Sequence, residues 1–215
     1  MATASIATVK PRMRGVSHEL AFFAALGAGT VLVALAPPRA ALAAAIYALS
    51  LATMLGVSAL YHRPTWAPQP RRWMRRLDHA AIFVLVAGTY TPFTLLLPRH
   101  GHAMLALAWT GAALGIAQSL FWVHAPRPLV AALYLLLGWA VVIFWPALHA
   151  ALGAAGLAFL VLGGVLYSIG AIIYAARRPD PAPQVFGYHE IFHALVVLAA
   201  VCHFGVVVGV VRALR

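Results

Sequence analysis

Three histidines, an aspartate and a serine stand out in an otherwise apolar sequence, because together they could bind and use a metal ion. His189 and His193 are four residues apart, so a helix would place both imidazoles on one face. Ser58 and His62 have the same spacing, and Asp78 lies further along the chain. Three neutral imidazoles leave one position open on a tetrahedral zinc ion, as in catalytic sites. Zinc is favoured over calcium and magnesium, since those ions prefer oxygen ligands.

A carboxylate and a hydroxyl beside such a metal would complete a hydrolytic site. Asp78 is the candidate to offset part of the metal charge and to accept a proton from water. Ser58 would hydrogen-bond a ligand, the water or a substrate oxygen. Simpler interpretations stay open. The Ser58 hydroxyl could donate a hydrogen bond to the Met54 carbonyl, and Asp78 could cap a helix or pair with Arg75. His189 and His193 could lie on the solvent-exposed edge of an amphipathic helix.

The elements that must position these residues are membrane helices. The chain is 64% hydrophobic and 9% charged, whereas soluble domains are about 45–50% apolar and about 25% charged. Apolar runs of about 20 residues, the length that crosses a bilayer, alternate with short polar joints. The sequence predicts an all-α membrane protein, a seven-transmembrane helix bundle that forms one domain (17–215) after a cytoplasmic tail (1–16). The predicted spans are 17–36, 39–61, 77–97, 103–122, 129–147, 151–176 and 186–212.

The basic residues predict the orientation of this bundle. Of the 15 lysines and arginines, eleven precede span one or join spans two to three, four to five and six to seven, and four lie on the other side. Basic loops stay in the cytoplasm, so we expect the N-terminus inside and the C-terminus outside. His62, Asp78, His189 and His193 then all lie at the cytoplasmic end. Their meeting at one depth favours a metal site over the simpler interpretations.

The charges and the remaining polar residues narrow the function classes. A net charge of +11 could indicate nucleic acid, but the charges lie between apolar runs and not along one face, so no nucleic-acid partner is expected. A single cysteine, Cys202, excludes an intramolecular disulfide. We expect Glu190 and His79 to face loops or headgroups. We expect His18 and Glu19 to lie at the membrane interface or to contact the metal ligands without binding the metal themselves.

Several motifs resemble the hemolysin III branch of the progestin and adipoQ receptor family. They cover nearly the whole seven-span chain, although Ser17-His18-Glu19 stands where the family has Thr-His-Gly. The motifs are Ser58-Ala-Leu-Tyr-His62, Leu77-Asp78-His79-Ala-Ala-Ile-Phe, Ala87-Gly-Thr-Tyr-Thr-Pro-Phe93, Tyr188-His-Glu-Ile-Phe-His193 and Cys202-His203-Phe204.

The resemblance implies a zinc ion held by His62, His189 and His193, with Asp78 and Ser58 completing the site. It also implies the N-in, C-out orientation of a multi-pass protein in a bacterial plasma (inner) membrane. Three functions stay open: a zinc-dependent hydrolase of lipid amides or esters, with membrane lipids as partners and substrates; a pore-forming or hemolytic protein; and a receptor-like regulator whose zinc is structural.

Overall fold

The computed structural model describes residues 10–215, so the first nine residues of the predicted tail lie outside the described residues. Within this range the chain forms seven α-helices, one short 3-10 helix and no β-strand. The helices are α1 (Val16–Ala34), α2 (Pro38–His62), α3 (Pro68–Thr94), α4 (Gly101–Phe121), α5 (Arg127–Trp139), α6 (Trp145–Ala176) and α7 (Tyr188–Ala213), and the 3-10 helix is Ala140–Phe144.

Five segments of the described chain are long and apolar enough to cross a membrane. They are α1, α2, α4, α7 and the stretch Arg127–Ala176, which contains α5, the 3-10 helix and α6. Helix α3 is not among them, because it begins with an arginine-rich segment and carries Asp78, His79 and three threonines in its apolar half. The protein is therefore an all-helical, multi-pass membrane protein with five candidate spans, fewer than the seven predicted.

The 50-residue stretch Arg127–Ala176 is not one straight helix. Gly153 interrupts it with φ 65° and ψ 177°, a conformation that glycine alone adopts readily. The Trp139 indole donates a hydrogen bond to Ser168 Oγ at 2.9 Å across 29 positions, which on a continuous helix would lie about 43 Å apart. The chain therefore reverses at Gly153. The predicted joint at 148–150 is wrong by a few residues, because alanine and leucine continue the helix until the glycine breaks it.

Helix α3 begins at Pro68, well before the predicted start of span three at residue 77. Proline suits this first position, because its missing N–H would have no helical partner there. The prediction placed the start at the edge of the apolar run, whereas the helix extends into the basic segment ahead of it. Asp78 consequently lies inside the helix, and the interpretation of Asp78 as a helix cap is wrong.

Close contacts between helices hold the residues of interest in register. A Cβ on Gly88 of α3 would lie 2.1 Å from the Ser50 hydroxyl of α2, so these helices approach closely at a small residue. A Cβ on Gly115 of α4 would lie 2.3 Å from the Phe83 ring of α3. Helix α7 packs on α6 and also contacts α1, α2 and α3. This arrangement brings the start of α7 against the end of α2.

Candidate metal centre

The three histidines predicted as metal ligands converge at one end of the bundle. His62 is the last residue of α2, and His189 and His193 lie in the first two turns of α7. One ring nitrogen from each lies within 4.8 Å of the others, and the two Nε2 atoms of His62 and His189 are 3.3 Å apart. His193 is 2% exposed and His62 is 8% exposed. We call these three residues the histidine cluster.

Two carboxylates fix the first turn of α7 and with it the two histidines on this helix. The backbone N–H of Gly187 donates to Glu190 Oε2 at 2.9 Å, and that of Tyr188 donates to Asp180 Oδ1 at 2.9 Å. Such N–H groups have no partner within the helix itself. The start of α7 is thereby held in one position relative to the loop before it.

Asp78 and Ser58 lie beside the histidine cluster. Asp78 Oδ2 is 3.7 Å from His62 Nε2, and its side chain is 13% exposed. The Ser58 hydroxyl is buried one turn before His62 and close enough to Asp78 to influence its carboxylate. Among the described residues Asp78 forms no ion pair with Arg75. The carboxylate therefore faces the histidines, where a proton acceptor for hydrolysis would have to be.

His18 is a member of the site whose position the sequence left open between the interface and the surroundings of the metal. Its ring stacks on His193 with centroids 3.8 Å apart and planes 5° from parallel. His18 is 2% exposed, and neither of its ring nitrogens has a hydrogen-bond partner among the described residues. His193 Nδ1 likewise has no partner there. Buried nitrogens without partners are costly and mark a place where a ligand or a water molecule is expected.

The segment of residues 10–15, which we call the N-terminal segment, packs against the end of α2 and the start of α7, which carry the histidine cluster. The Arg14 guanidinium pairs with the Glu190 carboxylate, which is 3% exposed. Glu190 is therefore buried and paired, and the expectation that it faces a loop or headgroups is wrong. Glu19 pairs with Arg63 at 2.6 Å, and the Lys10 ammonium donates to the Arg63 carbonyl at 2.6 Å.

The sequence did contain a signal for these ion pairs. The chain has 15 basic and only four acidic side chains. Each carboxylate that is buried away from water is therefore expected to pair with a basic side chain, because an unpaired buried charge is too costly. The identity of the partner could not be read from the sequence, since Arg14 and Glu190 are 176 positions apart. Burial, together with the nearby charges of Arg63, Arg14 and Arg71, lowers the pKa of Lys10, which lies ahead of α1.

Gly15 lets the N-terminal segment approach His62. Its φ is 80°, and a Cβ at this position would lie 2.8 Å from the Cβ of His62. Both facts favour glycine, which has no Cβ and tolerates positive φ. The backbone of the segment therefore packs directly on one histidine of the cluster.

The nitrogen donors fit a transition metal. Two nitrogens about 2.0–2.1 Å from a tetrahedral zinc ion lie about 3.3 Å apart, which is the separation of the His62 and His189 nitrogens. The same separation also suits a hydrogen bond between two neutral imidazoles. Calcium and magnesium fit less well, because Asp78 is the one carboxylate facing the histidines among the described residues.

Comparison with known proteins places this chain in a family. The family described as "Haemolysin-III related" matches residues 6–204. The chain belongs to the haemolysin-III related family. The resemblance seen in the sequence motifs is thereby confirmed, and every residue of the histidine cluster lies within the matched range.

Three individual proteins similar to this chain agree with the family match. The chain is 35% identical to the "Hemolysin-3 homolog" of Bacillus subtilis over 71% of its own length and 69% of that protein. It is 35% identical to "Hemolysin-3" of Bacillus cereus over 63% of this chain and 62% of that one. It is 31% identical to the "Adiponectin receptor protein" of Drosophila melanogaster over 70% of this chain and 38% of that protein.

Proposed function

We propose that this haemolysin-III related protein is a zinc-dependent hydrolase of lipid amides or esters. The observation that carries the proposal is the meeting of His62, His189 and His193, with ring nitrogens within 4.8 Å of one another and the Asp78 carboxylate 3.7 Å from His62. The site offers nitrogen donors for a metal ion, a carboxylate to accept a proton and a hydroxyl to donate a hydrogen bond. At the end of a membrane bundle these groups suit hydrolysis of a lipid ester or amide bond.

We also propose seven spans, with the N-terminus in the cytoplasm and the protein in a bacterial plasma membrane. Two observations support seven spans over five. The reversal at Gly153 divides Arg127–Ala176 into two antiparallel arms, and α3 lies between α2 and α4 in the bundle although polar residues lower its hydropathy. The excess of basic residues on one side supports the orientation.

In the proposed mechanism His62, His189 and His193 would hold a zinc ion. A bound zinc ion would supply a Lewis acid that polarises the substrate carbonyl. The Asp78 carboxylate accepts a proton from the attacking water and returns it to the leaving group. The Ser58 hydroxyl orients the Asp78 carboxylate or donates a hydrogen bond to the substrate oxygen. The buried His18 and the N-terminal segment limit access of bulk water to this place.

A structural role for the metal is the alternative that one observation favours. Asp78 lies near enough to His62 that a small shift would make the carboxylate a fourth ligand, and four protein ligands are typical of structural zinc. In that case the protein would act as a receptor-like regulator.

Two variants separate the two functions. The metal content of the purified protein is measured together with hydrolysis of a panel of lipid amides and esters. For the hydrolase, Asp78→Asn keeps about one zinc per chain and loses turnover by at least about 100-fold, since a proton acceptor is removed. His193→Ala should lose the metal, whereas His124→Ala, which removes an exposed histidine, should keep it. Loss of zinc from Asp78→Asn would favour the structural role, and wild-type protein without bound metal would refute both.

A further inference from the structure

Two arginines near the histidine cluster have no carboxylate partner in the part of the chain that the structure describes. The chain has four acidic side chains, and each is already in contact with another group: Glu19 with Arg63, Glu190 with Arg14, Asp78 with His62, and Asp180 with the backbone N–H of Tyr188. Neither Arg75 nor Arg127 forms an ion pair within residues 10–215. Both are only partly exposed, so their charges are not simply dispersed in water.

Arg127 lies at an unfavourable place for a cation. It is the first residue of α5, and the N-terminus of a helix carries partial positive charge that attracts anions. Its guanidinium carbon lies 5.3 Å from the centre of the Tyr174 ring, and one of its N–H groups donates to the Tyr188 hydroxyl at 3.3 Å. Aromatic contacts thus hold Arg127 in place, and its remaining N–H groups are left for another partner.

Arg75 approaches the same place from α3, one turn before Asp78. Helices α3 and α5 meet a short way beyond these two arginines, where the Tyr134 hydroxyl of α5 donates to the His79 carbonyl of α3 at 3.2 Å. The Tyr174 ring is in turn 5.7 Å from the ring of His189. Arg127 therefore contacts an aromatic side chain beside the histidine cluster, and Arg75 lies on the neighbouring helix α3 at the same end of the bundle.

The surroundings of the two arginines are those of a membrane interface. Leu77 and Leu129 follow Arg75 and Arg127 by two positions each, and they are 45% and 39% exposed. Trp73, one turn before Leu77, is 53% exposed. Exposed apolar side chains beside arginines are typical of contact with lipid headgroups and the upper acyl chain. A lipid phosphate satisfies this combination of charge and apolar surface, whereas free phosphate satisfies the charge alone.

We propose that Arg75 and Arg127 bind the phosphate of an anionic phospholipid and hold its acyl ester at the histidine cluster. The proposal rests on the proposed hydrolase function and names its substrate class. Guanidinium groups bind phosphate oxygens through paired hydrogen bonds, and only a few covalent bonds separate the phosphate from the acyl ester.

The reaction at such an ester balances without a further reactant. Water adds to the ester carbonyl carbon while Asp78 takes its proton, and the carbon–oxygen bond to glycerol then breaks. The proton passes from Asp78 to the glycerol oxygen. The products are a fatty acid and a lysophospholipid.

Binding is tested on the purified full-length protein in detergent, with short-chain phosphatidylglycerol and short-chain diacylglycerol as probes. The wild type should bind phosphatidylglycerol at least about 10-fold more tightly than diacylglycerol. The double variant Arg75→Gln/Arg127→Gln should reduce that preference to less than about 2-fold. The variant Arg75→Lys/Arg127→Lys keeps the charge without the paired hydrogen bonds, so its preference should be intermediate.

The double variant Arg71→Gln/Arg72→Gln is the matched control. It removes the same number of positive charges from exposed positions on α3, the helix that carries Arg75. This variant should keep the wild-type preference for phosphatidylglycerol over diacylglycerol. An equal loss in this control would refute a specific site in favour of a diffuse positive surface. Zinc content equal to the wild type in all variants shows that the histidine cluster is intact.

Two further results separate the possible failures. Displacement of the lipid by millimolar inorganic phosphate would refute the assignment to a lipid headgroup. Arginine-dependent binding of phosphatidylglycerol without hydrolysis of any lipid ester or amide would refute the proposed hydrolase and the substrate assignment, and would leave the phosphate site supported. Hydrolysis of neutral lipids at the same rate as phosphatidylglycerol would refute the substrate class alone.

Discussion

His18 of α1 lies flat on His193 of α7, with ring centroids 3.8 Å apart and ring planes 5° from parallel. The first helix is thereby coupled to the end of the bundle that holds the candidate metal ligands. The two residues are 175 positions apart in the chain, so the contact joins the first and last helices of the described residues at the site.

Replacing His18 tests whether stacking positions the ring of His193. His18→Ala removes the stacked ring and leaves a cavity, so we expect a loss of unfolding free energy on the order of 2 kcal/mol and zinc binding at least about 10-fold weaker. His18→Phe keeps an aromatic ring on His193 and should retain zinc affinity within about 3-fold. Zinc affinity is measured by competition with a chelator. Equal zinc affinity in the wild type and His18→Ala would show that the stack does not position His193.

Gly15 is predicted to be intolerant of any side chain. Gly15→Ala places a Cβ 2.8 Å from the Cβ of His62 at φ 80°, and strain of this kind costs about 1–3 kcal/mol. We expect a lower melting temperature in detergent and weaker retention of zinc. Gly27→Ala in α1 is the control, since a Cβ there would meet no other side chain within 4 Å among residues 10–215, and alanine favours a helix by up to about 1 kcal/mol. The prediction is wrong if the two variants melt alike.

The two ion pairs of the N-terminal region should differ in strength because they differ in burial. The Arg14–Glu190 pair is 23% and 3% exposed, and the Arg63–Glu19 pair is 43% and 40% exposed. Glu190→Gln leaves the Arg14 charge without its partner and should cost about 3 kcal/mol, and the double variant Arg14→Gln/Glu190→Gln should recover part of it. Glu19→Gln should cost less than about 1 kcal/mol. Denaturation in mixed micelles measures all of these, and equal costs for both pairs would contradict the assignment.

The parts of the site that sequence could predict are those with local spacing. His189 and His193 are one helical turn apart, and the excess of basic loops on one side placed His62 at the same end as both. The structure brings these three side chains together. Their role as zinc ligands stays a prediction, because the geometry also suits neutral imidazoles that hydrogen-bond to each other.

Contacts between distant parts of the chain could not be predicted. The pairing of Arg14 with Glu190 and the stacking of His18 on His193 depend on how α1 packs against α7, and no local pattern encodes that packing. The predicted ends of two helices were wrong for a different reason. Hydropathy finds the membrane boundary and not the end of a helix, so the start of α3 was placed too late and the reversal at Gly153 too early.

The orientation of the bundle is the prediction on which the cytoplasmic location of the site depends. Because Cys202 is the only cysteine, a Cys202→Ala background allows one reporter thiol at a time. We expect Arg99→Cys to react with a membrane-impermeant maleimide in intact bacterial cells, since positive loops stay inside and Arg99 lies on the less basic side. Arg178→Cys should react only after the cells are lysed. Both positions are exposed in the structure, so a difference in labelling reports the side of the membrane. Labelling of Arg178→Cys in intact cells, with Arg99→Cys protected, would place the histidine cluster on the outer face.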